Sequence, residues 1–136
     1  MVKGLLADIH AGKHVAYVVR LMQADPWSSL WQDLGLVLRR FDEVGLAPNS
    51  NDLEIWHRCQ QEQLILITNN RNDDGDDSLE ATIRTHNTSL SLPVFTIGDF
   101  DKLASNRAYA DSVVAQLYDY LIDIDNVRGT GRLYLP

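Results

Sequence analysis

The stretch Leu64-Ile65-Leu66-Ile67-Thr68-Asn69-Asn70-Arg71-Asn72-Asp73-Asp74-Gly75-Asp76-Asp77 decides the fold. Four consecutive apolar residues, half of them β-branched, are too short for a helix and read as a buried strand. The strand runs directly into a loop of amides, carboxylates and one glycine. In open α/β sheets, ligands sit beyond the carboxyl ends of parallel strands, where such loops lie. Working outward, Leu5-Leu6-Ala7 ends on Asp8 in the same manner, and Val94-Phe95-Thr96-Ile97 ends on Gly98-Asp99. Three strands that each deliver an oxygen-bearing side chain point to a hard cation, and from there to phosphate chemistry.

The chain has 136 residues, 45% of them hydrophobic and 23% charged, which suits a single globular α/β domain spanning 1–136. No apolar run approaches the roughly 18 residues of a membrane span, and the N-terminus lacks a signal peptide's charged-then-apolar order. The one cysteine, Cys59, permits no internal disulfide and fits a reducing cytoplasm. It falls on the apolar side of an expected helix, as core filler. A formal charge of −7 opposes nucleic-acid binding except where basic residues or a cation act locally. Much of the acidity is concentrated in the loop after Thr68.

Helical spacing of Val15, Val18, Val19 and Met22 predicts a first helix that stops near Asp25-Pro26. Ser29 and Gln32 have capping-box spacing and predict a short helix through Leu30, Trp31 and Leu34. Leu36 to Phe41 reads as a strand. Asn51 with Glu54 opens a helix carrying Leu53, Ile55, Trp56 and Cys59, and Asp77 with Glu80 opens another bearing Leu79 and Ile83. Ala110, Val113, Val114, Leu117, Leu121 and Ile124 share one face of the clearest helix. Leu133, Tyr134 and Leu135 close the chain and are expected to pack onto the domain or a second copy of it. Strands alternating with helices imply crossovers and a three-layer α/β sandwich with a mostly parallel central sheet.

The order of these features resembles the PIN-like nuclease superfamily. Its marks are a strand ending in Asp8, an acid at a helix start in Asn51-Asp52-Leu53-Glu54-Ile55, and the segment Thr68-Asn69-Asn70-Arg71-Asn72-Asp73 where PIN-like proteins commonly read Thr-x-Asp-x-Asp. A subgroup of small prokaryotic PIN-like proteins, cyanobacterial ones among them, carries a similar Asn-Arg-Asn loop and a tail like Gly129-Thr130-Gly131-Arg132. The resemblance implies that the strand at Leu5-Leu6-Ala7 is central and parallel to the strand at Leu64–Ile67. It also implies a Mg²⁺- or Mn²⁺-dependent ribonuclease acting on single-stranded RNA, of toxin–antitoxin type with a cognate antitoxin-like protein as partner, and able to form a homo-oligomer. It assigns Asp8 and Asp52 to two of the family's acids and Asn70 to a third. Asn70 departs from the pattern, because an amide oxygen ligates a hard cation without bringing charge and cannot serve as a base. Asp73 matches the second Asp and stands ready to substitute. Glu54 is an alternative to Asp52, and Asp99 is a further candidate ligand.

Each of these residues also has a purely structural reading. Asp8 can cap the segment after its strand. Asp52 and Glu54 suit the first turn of any helix, and Asp73 to Asp77 can be a solvated loop. A PIN-like fold that has lost catalysis and serves as a binding or regulatory module is therefore the rival expectation. Other motifs fail on spacing. Asn70, Asn72, Asp74 and Gly75 occupy EF-hand positions, but Glu80 arrives one residue early for the closing ligand. His10 and His14 are interrupted by Gly12, and Gly12-Lys13 lacks the following Ser or Thr of a phosphate loop.

Overall fold

A computed structural model describes residues 1–69 and 78–136. Among the described residues there are five strands, β1 (Gly4–Ala7), β2 (Leu38–Arg39), β3 (Leu64–Thr68), β4 (Val94–Ile97) and β5 (Arg132–Leu135). Its helices are α1 (Gly12–Gln23), α2 (Ser28–Leu34), α3 (Asp52–Glu62), α4 (Leu79–His86), α5 (Phe100–Ser105), α6 (Arg107–Ile122) and α7 (Ile124–Val127). The strands form one all-parallel sheet in the order β2-β1-β3-β4-β5. Leu5 pairs with Ile65 and Leu6 with Leu66, so β1 and β3 are parallel neighbours inside the sheet.

Parallel sheets need cover on both faces, and two apolar cores supply it. On one face Leu5, Ile65, Ile67, Phe95 and Ile97 pack under α1 and α6 through Val15, Val18, Met22, Val113, Val114 and Leu117. On the other, Leu6, Leu64, Leu66 and Val94 meet Ile55, Trp56 and Cys59 of α3 and Leu79 and Ile83 of α4. The three-layer sandwich follows. The Tyr118 hydroxyl, buried in the first core, donates to the Met22 carbonyl at 2.7 Å and ties α6 to the end of α1. Among the described residues no helix is long and apolar enough to cross a membrane.

Local chemistry sets the element ends. Asn51 caps α3, its side chain accepting from the Glu54 amide at 2.9 Å. Ser78, rather than Asp77, caps α4 by accepting from Ala81; Asp77 lies outside the described residues. The helix expected at Ser29 begins at Ser28 without a side-chain cap, and the Ser28 hydroxyl donates instead to Asp25. The strand expected over Leu36 to Phe41 shrinks to Leu38–Arg39. Leu36 is drawn into the first core and Phe41 into the second, so the chain rotates between them and turns at Asp42–Val44.

The terminal segment Arg132–Leu135 is a strand, not merely a packed tail. Leu135 is buried and Leu133 half-buried, whereas Tyr134 stays 55% exposed. Its entry requires Gly131, whose φ of +84° suits glycine and whose carbonyl accepts from the Val94 amide. The short helix α5 was not legible in the sequence.

Close approach at the other side of the sheet supplies a test. The Leu5 amide donates to the Val37 carbonyl at 2.8 Å, and a Cβ on Gly4 would overlap that same carbonyl oxygen. Gly4→Ala is expected to cost about 1–3 kcal/mol. Gly12→Ala, with open space around a helical backbone, should instead add about 0.4–1 kcal/mol. Urea unfolding of both variants measures the contrast.

Candidate functional site

The α3/α4 face of the sheet changes character toward the carboxyl ends of its strands. Side chains alternate along a strand, so each apolar residue of the second core is followed two positions later by the next one on that face. Leu6 is followed by Asp8, Leu66 by Thr68 and Val94 by Thr96. The apolar face therefore ends in a polar row. It lies where β1 and β3 adjoin and the connections diverge, since β1 leads toward β2 on one side while β3 leads toward β4 on the other. Open α/β sheets bind ligands at such a switch point.

Asp8 is anchored there by three hydrogen bonds. Its amide donates to the Ile67 carbonyl at 3.0 Å, carrying the β1–β3 ladder one residue beyond the strand. One carboxylate oxygen accepts from the Ile9 amide at 2.7 Å, capping the turn Ile9–Ala11. The other accepts from the Thr68 hydroxyl at 2.8 Å. Asp8 is thus a cap and a member of the site together.

Asp52 arrives from the first turn of α3 and reaches the same region from the helix layer. The Leu79 backbone at the start of α4 lies close enough to favour its charged form. Burial, and then the neighbouring charge of Asp8, push its carboxyl above the usual carboxylate range; the Leu79 amide and Arg132 offset only part of this. Asp8 reaches further still, adding to the burial that raises the Cys59 thiol to about 12. Cys59 is therefore an inert core residue.

A second polar group flanks the acids. The Arg132 side chain, only 5% exposed, donates to the Thr96 hydroxyl at 2.6 Å and to Glu80 at 3.1 Å, and its Nη2 lies 3.0 Å from the same Glu80 oxygen. This joins β5, β4 and the first turn of α4. Thr68, Thr96, Glu80 and Arg132 are not legible as one group in the sequence. The available signal was threonine at the same face position on two adjacent strands.

The other expected residues are placed differently. Glu54 lies two residues beyond Asp52, about 200° around the helix, and is exposed on a shallow hollow with Leu53, His57, Arg58 and Gln61. Asp99 caps α5 by accepting from Lys102 at 2.9 Å, in the helix layer on the opposite face, while its own amide donates to the Tyr109 hydroxyl. Asn70 and Asp73 lie outside the described residues. His14 stacks on Phe100 with centroids 4.3 Å apart, while His10 is exposed on the preceding turn. Among the described residues, no three His, Cys, Asp or Glu side chains form a group that would hold a metal ion. Compared with protein-family models, curated proteins and solved structures, the chain has no match.

The electrostatics generate a pH prediction. Because the folded state holds the Asp52 proton more tightly than the unfolded chain does, Asp52 lowers stability as pH rises through the carboxylate range. Asp52→Asn, which mimics the protonated form, should raise the melting temperature at pH 7. The gain should shrink as the pH falls below the carboxylate range, where wild-type Asp52 is itself neutral. Thermal melts at neutral and acidic pH measure the difference.

Proposed function

We propose that the carboxyl edge around Asp8 and Asp52 is a Mg²⁺- or Mn²⁺-dependent ribonuclease site of the PIN-like type. The observation that carries the reading is the convergence of two acids from separate elements, close enough that Asp8 raises the Asp52 carboxyl. Two like charges at a half-buried position are in tension until a cation neutralises them. Their oxygens fit a hard dication, and Mg²⁺ is commonly held by one or two carboxylates with water completing its octahedron. Asp8 and Asp52 would hold the ion, with the amide of Asn70 and the carboxylate of Asp73 as the loop's candidate donors. A bound ion would supply an activated water and charge stabilisation at the phosphodiester.

The chain's own contribution is positioning. Thr68 and the Ile9 amide fix the Asp8 carboxylate, and the Leu79 backbone favours the charged form of Asp52. Arg132 supplies positive charge beside the acids while held between Glu80 and Thr96. Its contacts keep β5 and α4 in register with the site.

A second reading, a PIN-like module that binds without cutting, draws on two observations. Both Asp8 oxygens already accept hydrogen bonds, and the family's third acid is replaced by the uncharged Asn70.

Calorimetry with Mn²⁺ and a cleavage assay on fluorescent single-stranded RNA separate the two. The nuclease reading expects weak Mn²⁺ binding and slow cleavage, both abolished in Asp8→Asn and both strengthened in Asn70→Asp. RNA binding without turnover at saturating Mn²⁺ identifies the binding module. No Mn²⁺ binding to either wild type or Asn70→Asp removes the nuclease reading altogether.

A further inference from the structure

The outer side of the α3/α4 layer carries a cluster that the carboxyl-edge site does not use. His57 in α3 and His86, the last residue of α4, bring their rings to 5.1 Å between centroids at an interplanar angle of 66°. Both are exposed, and both lie against the buried Trp56 indole, at 5.3 Å and 6.3 Å respectively. From this geometry we infer that His57 and His86 form a two-imidazole site for a borderline transition dication such as Cu²⁺, Ni²⁺ or Zn²⁺.

The spacing suits shared coordination. Metal–nitrogen bonds of about 2.0–2.1 Å at a tetrahedral angle put the centroids of two coordinating imidazoles roughly 5 Å apart. The two rings come from different helices, yet they already stand at that separation. Imidazole nitrogen favours Cu²⁺, Ni²⁺ and Zn²⁺ over Mg²⁺, so the donor chemistry differs from that of the carboxylates at Asp8 and Asp52. Glu54, one helical turn before His57 and on the same shallow hollow, adds negative potential. Arg58 is drawn aside by its hydrogen bond to the Val44 carbonyl. Among the described residues no third His, Cys, Asp or Glu joins the pair in a metal-holding group, so water completes the coordination.

The other histidine pair is built differently. His14 is engaged ring-on-ring with Phe100, and its Nδ1 is shut away from solvent without a hydrogen-bond partner among the described residues. That leaves His57 and His86 as the pair with both rings open to a metal. A bound ion would link α3 to α4, the two helices that together cover the second core. It would also stabilise the fold by mass action, because the pair exists only in the folded chain.

The test uses the untagged full chain in a non-chelating buffer. Titration calorimetry with Cu²⁺ and with Zn²⁺ should show one equivalent that depends on the two histidines, separate from any ion held at Asp8 and Asp52, with Cu²⁺ bound more tightly than Zn²⁺. Cu²⁺ should quench tryptophan fluorescence through Trp56, and either ion should raise the melting temperature by several degrees. Both histidines are exposed, so His57→Ala and His86→Ala should keep the fold by circular dichroism while weakening binding at least tenfold. His10→Ala should leave that equivalent unchanged, and excess Mg²⁺ should not compete for it. Absence of stoichiometric Cu²⁺ binding overturns the site and leaves His57 and His86 as an edge-to-face packing pair. An isotherm unchanged in both alanine variants, or lost in His10→Ala, overturns it equally.

Discussion

The parallel pairing of β1 with β3 is the constraint on which the rest of the structure depends. All five residues of β3 are buried, so both faces of this strand must be covered by helices. Parallel neighbours cannot be joined by a tight turn, and each crossover carries a helix across one face or the other. The α1 and α6 layer and the α3 and α4 layer are consequences of that requirement. So is the location of polar side chains at the carboxyl edge, where the strands run out of core.

The pairing does not stop at the last strand residue. The Asp8 amide still donates to the Ile67 carbonyl, and the Asp8 carboxylate still accepts from Thr68. Structural and chemical roles are therefore joined in one residue. A carboxylate with both oxygens engaged is well oriented, and its orientation follows directly from the strand register. One residue of slippage between β1 and β3 would turn Asp8 to the opposite face, away from Asp52.

Around this fixed acid the chain assembles opposing charges. Asp52 is brought in by the first turn of α3, where a carboxylate is ordinarily favourable, but burial and Asp8 make it less so. Arg132 and the Leu79 amide offset part of that cost. The Arg132–Glu80–Thr96 contacts, with Arg132 and Thr96 nearly closed to solvent, place a cation near Asp52, which ties the site's electrostatics to the correct placement of β5. Removing β5 would disturb charge balance and sheet edge together.

Much of the architecture was legible from the sequence, because it rests on local periodicity. The Leu64–Ile67 run, the 3.6-residue repeats of α1 and α6, and the Asn51 cap of α3 are properties of neighbouring residues, and they fix a parallel α/β sandwich. Asp8 was legible as a strand-end acid for the same reason. Tertiary structure alone decided what depends on distant partners. Two opposing cores cut β2 to two residues, and a glycine-mediated turn made the terminal segment a fifth strand. Helix phase sent Asp52 toward Asp8 while Glu54 faced solvent. The Arg132–Glu80–Thr96 group and the His57–His86 pair likewise join residues from separate elements, and their contacts exist only once the sheet and its layers have formed.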